Sequence, residues 1–372
     1  MIPVLLALAL AQSEPPASAL APGDDDSEDV RILLGRGSGD LSIRGSGLQL
    51  GLRGAWSQLA GGDLHAACAA GALRLRGRSP VTEPLSIRAI GALQVGPREV
   101  RGAVELRCQG ARWMAINVLP LEEYLAAVLG GEMPPGFPLQ ALEAQAVAAR
   151  TYALHRKVEA VQQGLPYHLD STVLSQVYDG LAREDPRTRA AAAGTRGEVL
   201  AYGMLPVEAY FHASCGGKTE AGSAALGRDE PYLASVSCPC ASRSPFAHWS
   251  VRLGEGELTS LLRPLIGTGE VTGLRVSART AAGRARTVVV QTTEGPRPVA
   301  AAQLRARLGY VRLPSLWFDV RAAGSGVVFE GRGAGHGAGL CQWGARALAE
   351  QGQSYRDILA HYYPGTELRK IY

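Results

Sequence analysis

The stretch that decides the fold is "LGGEMPPGFPLQALEAQAVAARTYAL", residues 129–154. It places one carboxylate, Glu132, between a glycine pair and Met-Pro-Pro-Gly. Proline lacks a backbone N–H and biases the residue before it toward extended geometry, so a helix that reaches this point must end. The stretch therefore predicts two helices joined by a constrained turn, and the turn fixes the direction of the Glu132 side chain.

The flanking residues define these two helices. Pro120 suits a first helical position. An apolar stripe at helical spacing follows it: Leu121, Leu125, Val128 and Leu129. Gly130-Gly131 predicts the end of the first helix, and the second is predicted to run from Pro138 to about Lys157. Small residues dominate one side of the second helix, which lets another element approach closely: Ala141, Ala144, Ala146, Ala148 and Ala149.

Short alternating segments dominate the rest of the chain. Between residues 30 and 116, runs such as "VRILLG", "LSIRG" and "AVELRC" alternate apolar with polar residues, which predicts a small antiparallel β region. Near the C-terminus, "GLCQWGARALAEQG" and "SYRDILAHYYPG" predict two helices. The sequence thus predicts an α+β fold with a strand-rich core and a few helices. The β region at 30–116 precedes a larger domain at 117–372.

The N-terminus indicates an exported protein. An apolar run ends in Ala9-Leu10-Ala11, so residues 1–11 are predicted to be a signal peptide. Residues 12–29 are rich in Pro, Ser and acids and are predicted to be a disordered linker. The net charge of +4 is spread thinly, without a Lys/Arg block, so no nucleic-acid partner is expected. The expected location is the periplasm or the cell envelope.

Glu132 and Arg150 are the polar residues of interest in the opening stretch. Apolar neighbours can raise the pKa of a carboxyl group, as a general acid requires. An ordinary polar residue in a turn is the alternative for Glu132, and the residues alone favour it because perturbed carboxylates are a minority. Arg150 is either a solvated helix residue or a buried donor that orients a carboxylate or an anionic ligand.

The glycine-rich segment "GRGAGHGAGLCQWGA", residues 331–345, is a second candidate element. It contains the G-x-G-x-x-A spacing of a dinucleotide loop. That fold needs a second parallel strand and an acid about twenty residues further on, whereas the residues after Ala338 favour helices. We expect instead that the glycines permit close approach of the backbone to a ligand or to another element, with His336 exposed on a glycine-lined wall.

The six cysteines fit an exported protein that could form disulfides. Four residues at H-x-x-C and C-x-C spacing could close a tetrahedral zinc site: His212, Cys215, Cys238 and Cys240. A disulfide of Cys215 with Cys238 or Cys240 is favoured because the chain is expected to be exported, so no metal or other cofactor is expected. Neither G-x-S-x-G nor H-E-x-x-H occurs, which removes support for the usual serine hydrolases and zinc proteases.

Four segments together resemble the SpoIID/LytB family, the sporulation stage II protein D and amidase-enhancer proteins. In the family's order they are "LPLEEYLAAVLGGEMPPGFPLQALEAQAVAARTYAL", "SQVYDG", "YFHASCGGKTE" and "GRGAGHGAGLCQWGARALAEQGQSYRDILAHYYPGTEL". The resemblance covers roughly residues 117–372. It implies a peptidoglycan lytic transglycosylase, which cleaves the β-1,4 bond between N-acetylmuramic acid and N-acetylglucosamine and leaves a 1,6-anhydro ring.

The resemblance also implies roles for particular residues. Glu132 is the catalytic acid of the E-M-P motif. The positions that match the family's substrate-binding groove are Arg150, His212, Lys218, His336, Gln342 and Tyr363. The groove would lie between the E-M-P helix region and the helix that begins G-H-G-x-G-x-x-Q-W. Some members bind zinc near C-Q-V-Y, but the matching residues are Leu169 and Ser175, so that site is not expected. Cys341 replaces a more usual serine and is expected to be a buried thiol.

Peptidoglycan glycan strands are the expected partner, with a cell-wall amidase or other envelope proteins as further candidates. The alternative function is a noncatalytic wall-binding protein that enhances an amidase. A third possibility is hydrolysis, in which water rather than the sugar's C6 hydroxyl attacks. The presence of Glu132 together with Arg150, His212 and His336 favours the enzyme, since a binding protein would be free to lose Glu132.

Overall fold

The computed structural model describes residues 28–171, 176 and 178–372. The predicted signal peptide and most of the predicted linker lie outside these residues. Asp29, the last residue of that linker, already belongs to a strand because it pairs with Pro120. The described residues form a mixed fold of helices and strands, which confirms the predicted α+β class. No helix among them is both long and apolar enough to cross a membrane.

A ten-stranded, mainly antiparallel sheet forms the N-terminal part of the described chain. Its strands are β1 (Asp29–Gly37), β2 (Leu41–Leu52), β3 (Ala55–Gln58), β4 (Asp63–Ala69), β5 (Ala72–Leu75), β6 (Leu85–Val95), β7 (Arg98–Val100), β8 (Ala103–Gln109), β9 (Arg112–Pro120) and β10 (Leu169–Asp170). β1 lies between β9, antiparallel to it, and β10, parallel to it. A disulfide between Cys68 and Cys108 joins β4 to β8.

The remaining strands form four small sheets. They are β11 (Glu198–Tyr202), β12 (Leu205–Pro206), β13 (Phe211–His212), β14 (Trp249–Gly254), β15 (Val271–Arg279), β16 (Ala285–Thr292), β17 (Gly295–Ala300), β18 (Phe318–Ala322), β19 (Gly326–Gly331), β20 (Leu340–Cys341) and β21 (Glu367–Lys370). The parallel pair β13 and β20 matters most for the site. It sets His212 directly beside Cys341 and so joins two of the distant sequence motifs.

Eight helices lie within the described residues. They are α1 (Leu121–Glu132), α2 (Leu139–Gln162), α3 (Pro186–Gly194), α4 (Gly222–Ala225), α5 (Glu255–Ile266), α6 (Ala301–Leu308), α7 (Gln342–Glu350) and α8 (Tyr355–Tyr362). α1 and α2 are the two predicted helices, but both are longer than predicted. α1 continues through Gly130-Gly131, and α2 extends past Lys157. A Cβ at position 130 would collide with the backbone oxygen of Arg183, so Gly130 is needed for close packing rather than for helix termination.

The helix α2 contributes residues to two hydrophobic cores. Its residues between 141 and 153 are buried on nearly every side, including all five predicted small residues. The small side chains let α1, α3, α7 and α8 pack closely around it. The apolar stripe of α1 is likewise buried, and it shares one core with the ten-stranded sheet and α2. A second core joins the turn after α1 to α2, α7 and α8.

Candidate active site

Glu132 is the last residue of α1 and is partly buried. The next residue, Met133, adopts an extended backbone, as the prolines require. Met133 and Phe137 are buried in the second core, and the Phe137 ring packs edge-on against Trp343 of α7, with 5.0 Å between ring centroids. The turn that carries Glu132 is therefore anchored against the C-terminal Q-W helix, and the two predicted walls of the groove are in contact.

Tyr124 is a residue near Glu132 that sequence reasoning missed. It lies about two helical turns before Glu132 and is wholly buried. Burial, and then the charge of Glu132, raise the pKa of the Tyr124 hydroxyl well above its ordinary value. The hydroxyl donates a hydrogen bond to Oε1 of Gln176 at 2.5 Å, and Gln176 in turn donates to the carbonyl of Ala149. A neutral, fixed phenol thus supports the helix that bears the acid.

Arg150 is wholly buried at the middle of α2. Its Nε and Nη2 each donate to a carboxylate oxygen of Glu122 at 2.8 Å. The other N–H groups donate to the Thr195 hydroxyl at 3.4 Å and to the carbonyls of Glu198 and Ala192 at 3.1 Å. All five donors are thereby directed at protein acceptors. Arg150 is predicted to bind substrate, but in this structure its guanidinium is wholly buried and orients Glu122.

Glu122 collects hydrogen bonds from distant parts of the chain. Besides Arg150, it accepts from the backbone N–H of Gly197 at 3.3 Å and from the hydroxyl of Tyr372 at 2.6 Å. Burial raises the pKa of the carboxyl group, but the hydrogen bonds and charge of Arg150 outweigh burial, so the net pKa is lowered. Glu122 is therefore an ionised anchor that joins α1, α2 and the C-terminal residues.

His212 is a buried, neutral histidine with one unused nitrogen. Its Nδ1 lies 3.0 Å from the carbonyl of Ala338, so Nδ1 carries the proton and Nε2 is an acceptor. Nε2 is buried and has no hydrogen-bond partner among the described residues. Burial, and then the nearby His336 and Arg284, hold the pKa of His212 well below its ordinary value. His212 thus presents a lone pair that an uncharged ligand hydroxyl could donate to.

His336 does not lie exposed on a glycine-lined wall, so that prediction is wrong. It is half-buried, and its ring centroid lies 5.4 Å from that of His212. Nε2 donates to the carbonyl of Phe211 at 2.8 Å, and Nδ1 accepts from the N–H of Ala338 at 3.2 Å. Burial is the main cause that lowers the pKa of His336 to about 4. Both ring nitrogens form hydrogen bonds with backbone groups, so His336 holds β13 against the glycine-rich segment.

The glycine-rich segment makes the close approach predicted for it, and the other element is β13. A Cβ on Gly335 would lie 2.6 Å from Cβ of His212, closer than side chains tolerate. Gly339 has φ of +68°, and a Cβ there would collide with the backbone oxygen of Tyr210. The segment therefore fits against β13 only because these positions lack side chains.

Gly339→Ala is expected to lower the free energy of unfolding by about 1–3 kcal/mol more than Gly352→Ala does. Both glycines have positive φ, +68° and +87°, so both variants carry backbone strain. Only Gly339 faces a backbone atom, since nothing lies within 4 Å of a Cβ at Gly352. Urea unfolding of the two variants measures the difference. Equal losses would show that close packing at Gly339 contributes nothing.

A buried amide pair lies where β20 meets α7. Nε2 of Gln342 lies 3.4 Å from Oε1 of Gln145, and both side chains are buried. Nε2 of Gln145 has no hydrogen-bond partner among the described residues. Gln145 was missed by sequence reasoning, because a glutamine within an alanine-rich helix carries no motif signal. Nε2 of Gln145 is thus an unused donor where β20 meets α7. Nε2 of His212, on the neighbouring strand β13, is an unused acceptor.

Tyr363 and Lys218, both predicted to bind substrate, differ in exposure. Tyr363 is wholly buried; its hydroxyl donates to the carbonyl of Tyr210 at 2.6 Å and accepts from the N–H of Leu340 at 3.3 Å. In this structure the hydroxyl of Tyr363 holds β20 in place, and its predicted contact with substrate stays a prediction. Lys218 is exposed, so its ammonium group remains accessible to an anionic ligand.

The cysteines outside the ten-stranded sheet form a cluster of thiols. Its members are Cys215, Cys238, Cys240 and Cys341, which are all buried and free of disulfides. The favoured disulfide among the first three is therefore not formed, whereas the buried thiol predicted for Cys341 is confirmed. His212 is not part of the cluster. Some family members bind zinc near C-Q-V-Y, and the matching positions in this chain are Leu169 and Ser175. Leu169 is a buried strand residue, and Ser175 lies outside the described residues.

Comparisons with known proteins agree with the sequence motifs. The family model described as Stage II sporulation protein, SpoIID, matches residues 109–202. This match contains α1, the turn at Glu132 and α2. A second model, described as a domain of unknown function, matches residues 241–339.

The chain is similar over two thirds of its length to named bacterial proteins. Stage II sporulation protein D of Bacillus amyloliquefaciens is 32% identical over 267 residues, covering 68% of this chain and 75% of that protein. Stage II sporulation protein D of Bacillus subtilis is 30% identical over 269 residues, covering 68% and 76%. The Amidase enhancer of Bacillus subtilis is 28% identical over 293 residues, covering 66% and 40%. The chain belongs to the SpoIID/LytB family.

Proposed function

We propose that this protein is a peptidoglycan lytic transglycosylase in which Glu132 is the single acid and base. Membership of the SpoIID/LytB family supports this proposal. The observation that carries it is the position of Glu132, a partly buried carboxyl group at a helix end. The buried Met133 and Phe137 fix the turn against α7. A carboxyl group held in this way can meet a glycosidic oxygen without rearrangement of the backbone.

One carboxyl group suffices for this chemistry. Ordinary glycosidases need a second one, which activates water or attacks the sugar. In a transglycosylase the C6 hydroxyl of N-acetylmuramic acid attacks its own C1. Protonated Glu132 donates its proton to the glycosidic oxygen as the C1–O bond breaks. The resulting carboxylate then accepts the proton of the C6 hydroxyl as the 1,6-anhydro bond forms, which restores the acid.

The surrounding side chains divide into supporting and binding roles. Arg150 and Tyr363 support the walls, because their polar atoms are all engaged with protein. Nε2 of His212 is a buried acceptor without a partner among the described residues, so we assign it a hydrogen bond from a sugar hydroxyl, which requires that substrate binding uncovers this nitrogen. Exposed Lys218 is the candidate contact for an anionic group of the wall polymer. An exported location in the cell envelope belongs to this proposal, and the disulfide of Cys68 with Cys108 suits an oxidising compartment.

The second candidate function is a noncatalytic wall-binding protein that enhances an amidase. The observation that favours it is the similarity to a protein named Amidase enhancer, 28% identical over 293 residues. This function would need the wall-binding surface but not the carboxyl group of Glu132. The two candidates therefore differ in whether the purified chain cuts glycan strands on its own.

Product analysis of peptidoglycan treated with the purified chain separates these functions. We expect fragments that end in 1,6-anhydro-N-acetylmuramic acid, detected by mass spectrometry, from intact peptidoglycan or from glycan stripped of stem peptides. New reducing ends would show that water attacks and would contradict the transglycosylase. Uncut glycan, together with binding to cell walls and faster amidase digestion, would support the enhancer instead.

A further inference from the structure

The cluster of four thiols has the dimensions of a metal site. All four sulfur atoms lie within 4.8 Å of one another, and Sγ of Cys215 and Cys240 are 3.4 Å apart. Zinc–thiolate bonds of about 2.3 Å in a tetrahedron place neighbouring sulfurs about 3.8 Å apart. A disulfide would bring two sulfurs to about 2.05 Å. We propose that Cys215, Cys238, Cys240 and Cys341 together bind one zinc ion as thiolates.

The fold brings the four sulfurs together from three separate segments. Cys215 follows β13 and Cys341 ends β20, so the parallel pairing of these strands places the two side by side. Cys238 and Cys240 flank Pro239 at the start of a 3-10 helix, Pro239–Ser242, and the N–H of Cys238 donates to the carbonyl of Gly217 at 3.0 Å. Backbone hydrogen bonds therefore preorganise the ligands, as a structural zinc site requires.

Hydrogen-bond donors surround the sulfurs. The N–H of Cys215 points at Sγ of Cys341 at 3.3 Å, and the hydroxyl of Tyr362 lies 3.1 Å from Sγ of Cys238. Donors of this kind stabilise thiolates and orient metal ligands. Gly344 makes room for the second contact, since a Cβ there would collide with both Tyr362 and Cys238.

A buried cation lies next to the site. Four thiolates and one zinc ion carry a net charge of −2. Arg284 is buried and donates to the carbonyls of Cys215 at 2.8 Å and Lys218 at 3.0 Å. Its Nη1 lies 3.7 Å from a carboxylate oxygen of Glu220. A guanidinium next to the Cys215 backbone lowers the cost of burying an anionic metal complex.

Two other interpretations fit the cluster less well. The sequence suggested His212 as a ligand with three cysteines, but the group of ligand atoms that lie within 4.8 Å of one another contains Cys341 and not His212. Tetrahedral sulfur ligands also suit iron–sulfur clusters, yet a cluster of several atoms is larger than a single ion and needs wider ligand spacing. A single zinc ion is the occupant that these distances favour.

The site would hold one wall of the proposed groove. Cys215 comes three residues after His212, and Cys341 directly precedes Gln342. Zinc bound here would tie β13 to the start of α7 without contacting substrate. This role is structural, so it does not depend on whether Glu132 cuts glycan.

Metal and thiol analysis of the purified full chain tests the proposal. We expect one zinc per chain by elemental mass spectrometry. We also expect four thiols that react only when the chain is denatured in the presence of a chelator. No zinc together with no reactive thiols would show two disulfides and overturn the proposal. Iron in place of zinc would overturn the choice of metal. Cobalt exchanged into the site should give the intense visible and charge-transfer bands of a tetrahedral tetrathiolate.

Three variants locate the ligands. Cys240→Ser should lose the zinc, whereas a chain with Cys68→Ser and Cys108→Ser should keep it. His212→Gln should also keep the zinc and leave the cobalt spectrum unchanged. A changed cobalt spectrum in His212→Gln would overturn the assignment of four cysteines. The zinc content and cobalt spectrum of the unaltered chain decide the proposal even where a cysteine variant fails to fold.

Discussion

Glu132→Gln is expected to reduce the release of 1,6-anhydro products by at least about 10²–10⁴-fold, the usual contribution of a general acid and base. Glutamine has the same shape but cannot donate or accept the proton that the glycosidic and C6 oxygens exchange. The turn should stay in place, because Met133 and Phe137 hold it in the second core. Quantifying products by mass spectrometry at equal protein concentration measures the loss.

Glu123→Gln is the matched control for this variant. It makes the same substitution in the same helix, at a partly buried position in the first turn. We expect activity close to that of the unaltered chain. Both variants should unfold at urea concentrations close to that of the parent. Equal activity in Glu132→Gln and the parent would refute the catalytic role, and equal losses in the two variants would point to general damage to α1.

Arg150→Met is expected to lower the free energy of unfolding by about 3–5 kcal/mol, the cost of removing one partner of a buried ion pair. The change would leave the carboxylate of Glu122 without the two hydrogen bonds at 2.8 Å that offset its burial. The carbonyls of Glu198 and Ala192 would also lose their donor. Urea denaturation at neutral pH measures the effect.

Two further variants show whether the ion pair is the cause. Arg156→Met removes a more exposed arginine of the same helix, which pairs with Glu159, and should cost less than about 1 kcal/mol. Combining Arg150→Met with Glu122→Gln should cost less than the sum of the two single changes, because the second change removes the stranded charge. A stable Arg150→Met protein without activity would instead place Arg150 in the chemistry.

The helices were predictable because their signals are local. Each signal can be recognised within a short window of the sequence: the apolar stripe of α1, the prolines after Glu132 and the alanines of α2. The structure confirms both helices. The end of α1 was predicted wrongly because the reason for Gly130 is not local. That glycine is required by the backbone of Arg183, a contact that no periodicity within α1 reveals.

The site was less predictable because its partners are far apart in sequence. From the sequence, Arg150 could be a solvated helix residue or a buried donor. It is a buried donor because α2 is buried on nearly every side. Its partner, Glu122, lies 28 residues earlier. The cluster of thiols depends on Cys215 and Cys341, which are 126 residues apart. Sequence motifs for metal sites rest on ligands that are a few residues apart. The sequence therefore suggested His212, which is close to Cys215, and not the distant Cys341.

The core that the ten-stranded sheet shares with α1 and α2 limits how this protein can be rearranged by recombination. The SpoIID match begins at residue 109, the end of β8, so it includes β9 but neither of the strands that flank β9. A segment exchanged at that boundary would present two bare strand edges and half of a core. The segment that the family model matches is thus smaller than the part of the chain that shares this core. A chimaera that keeps the Glu132 turn on an intact core must carry the strands from Asp29 onward with it.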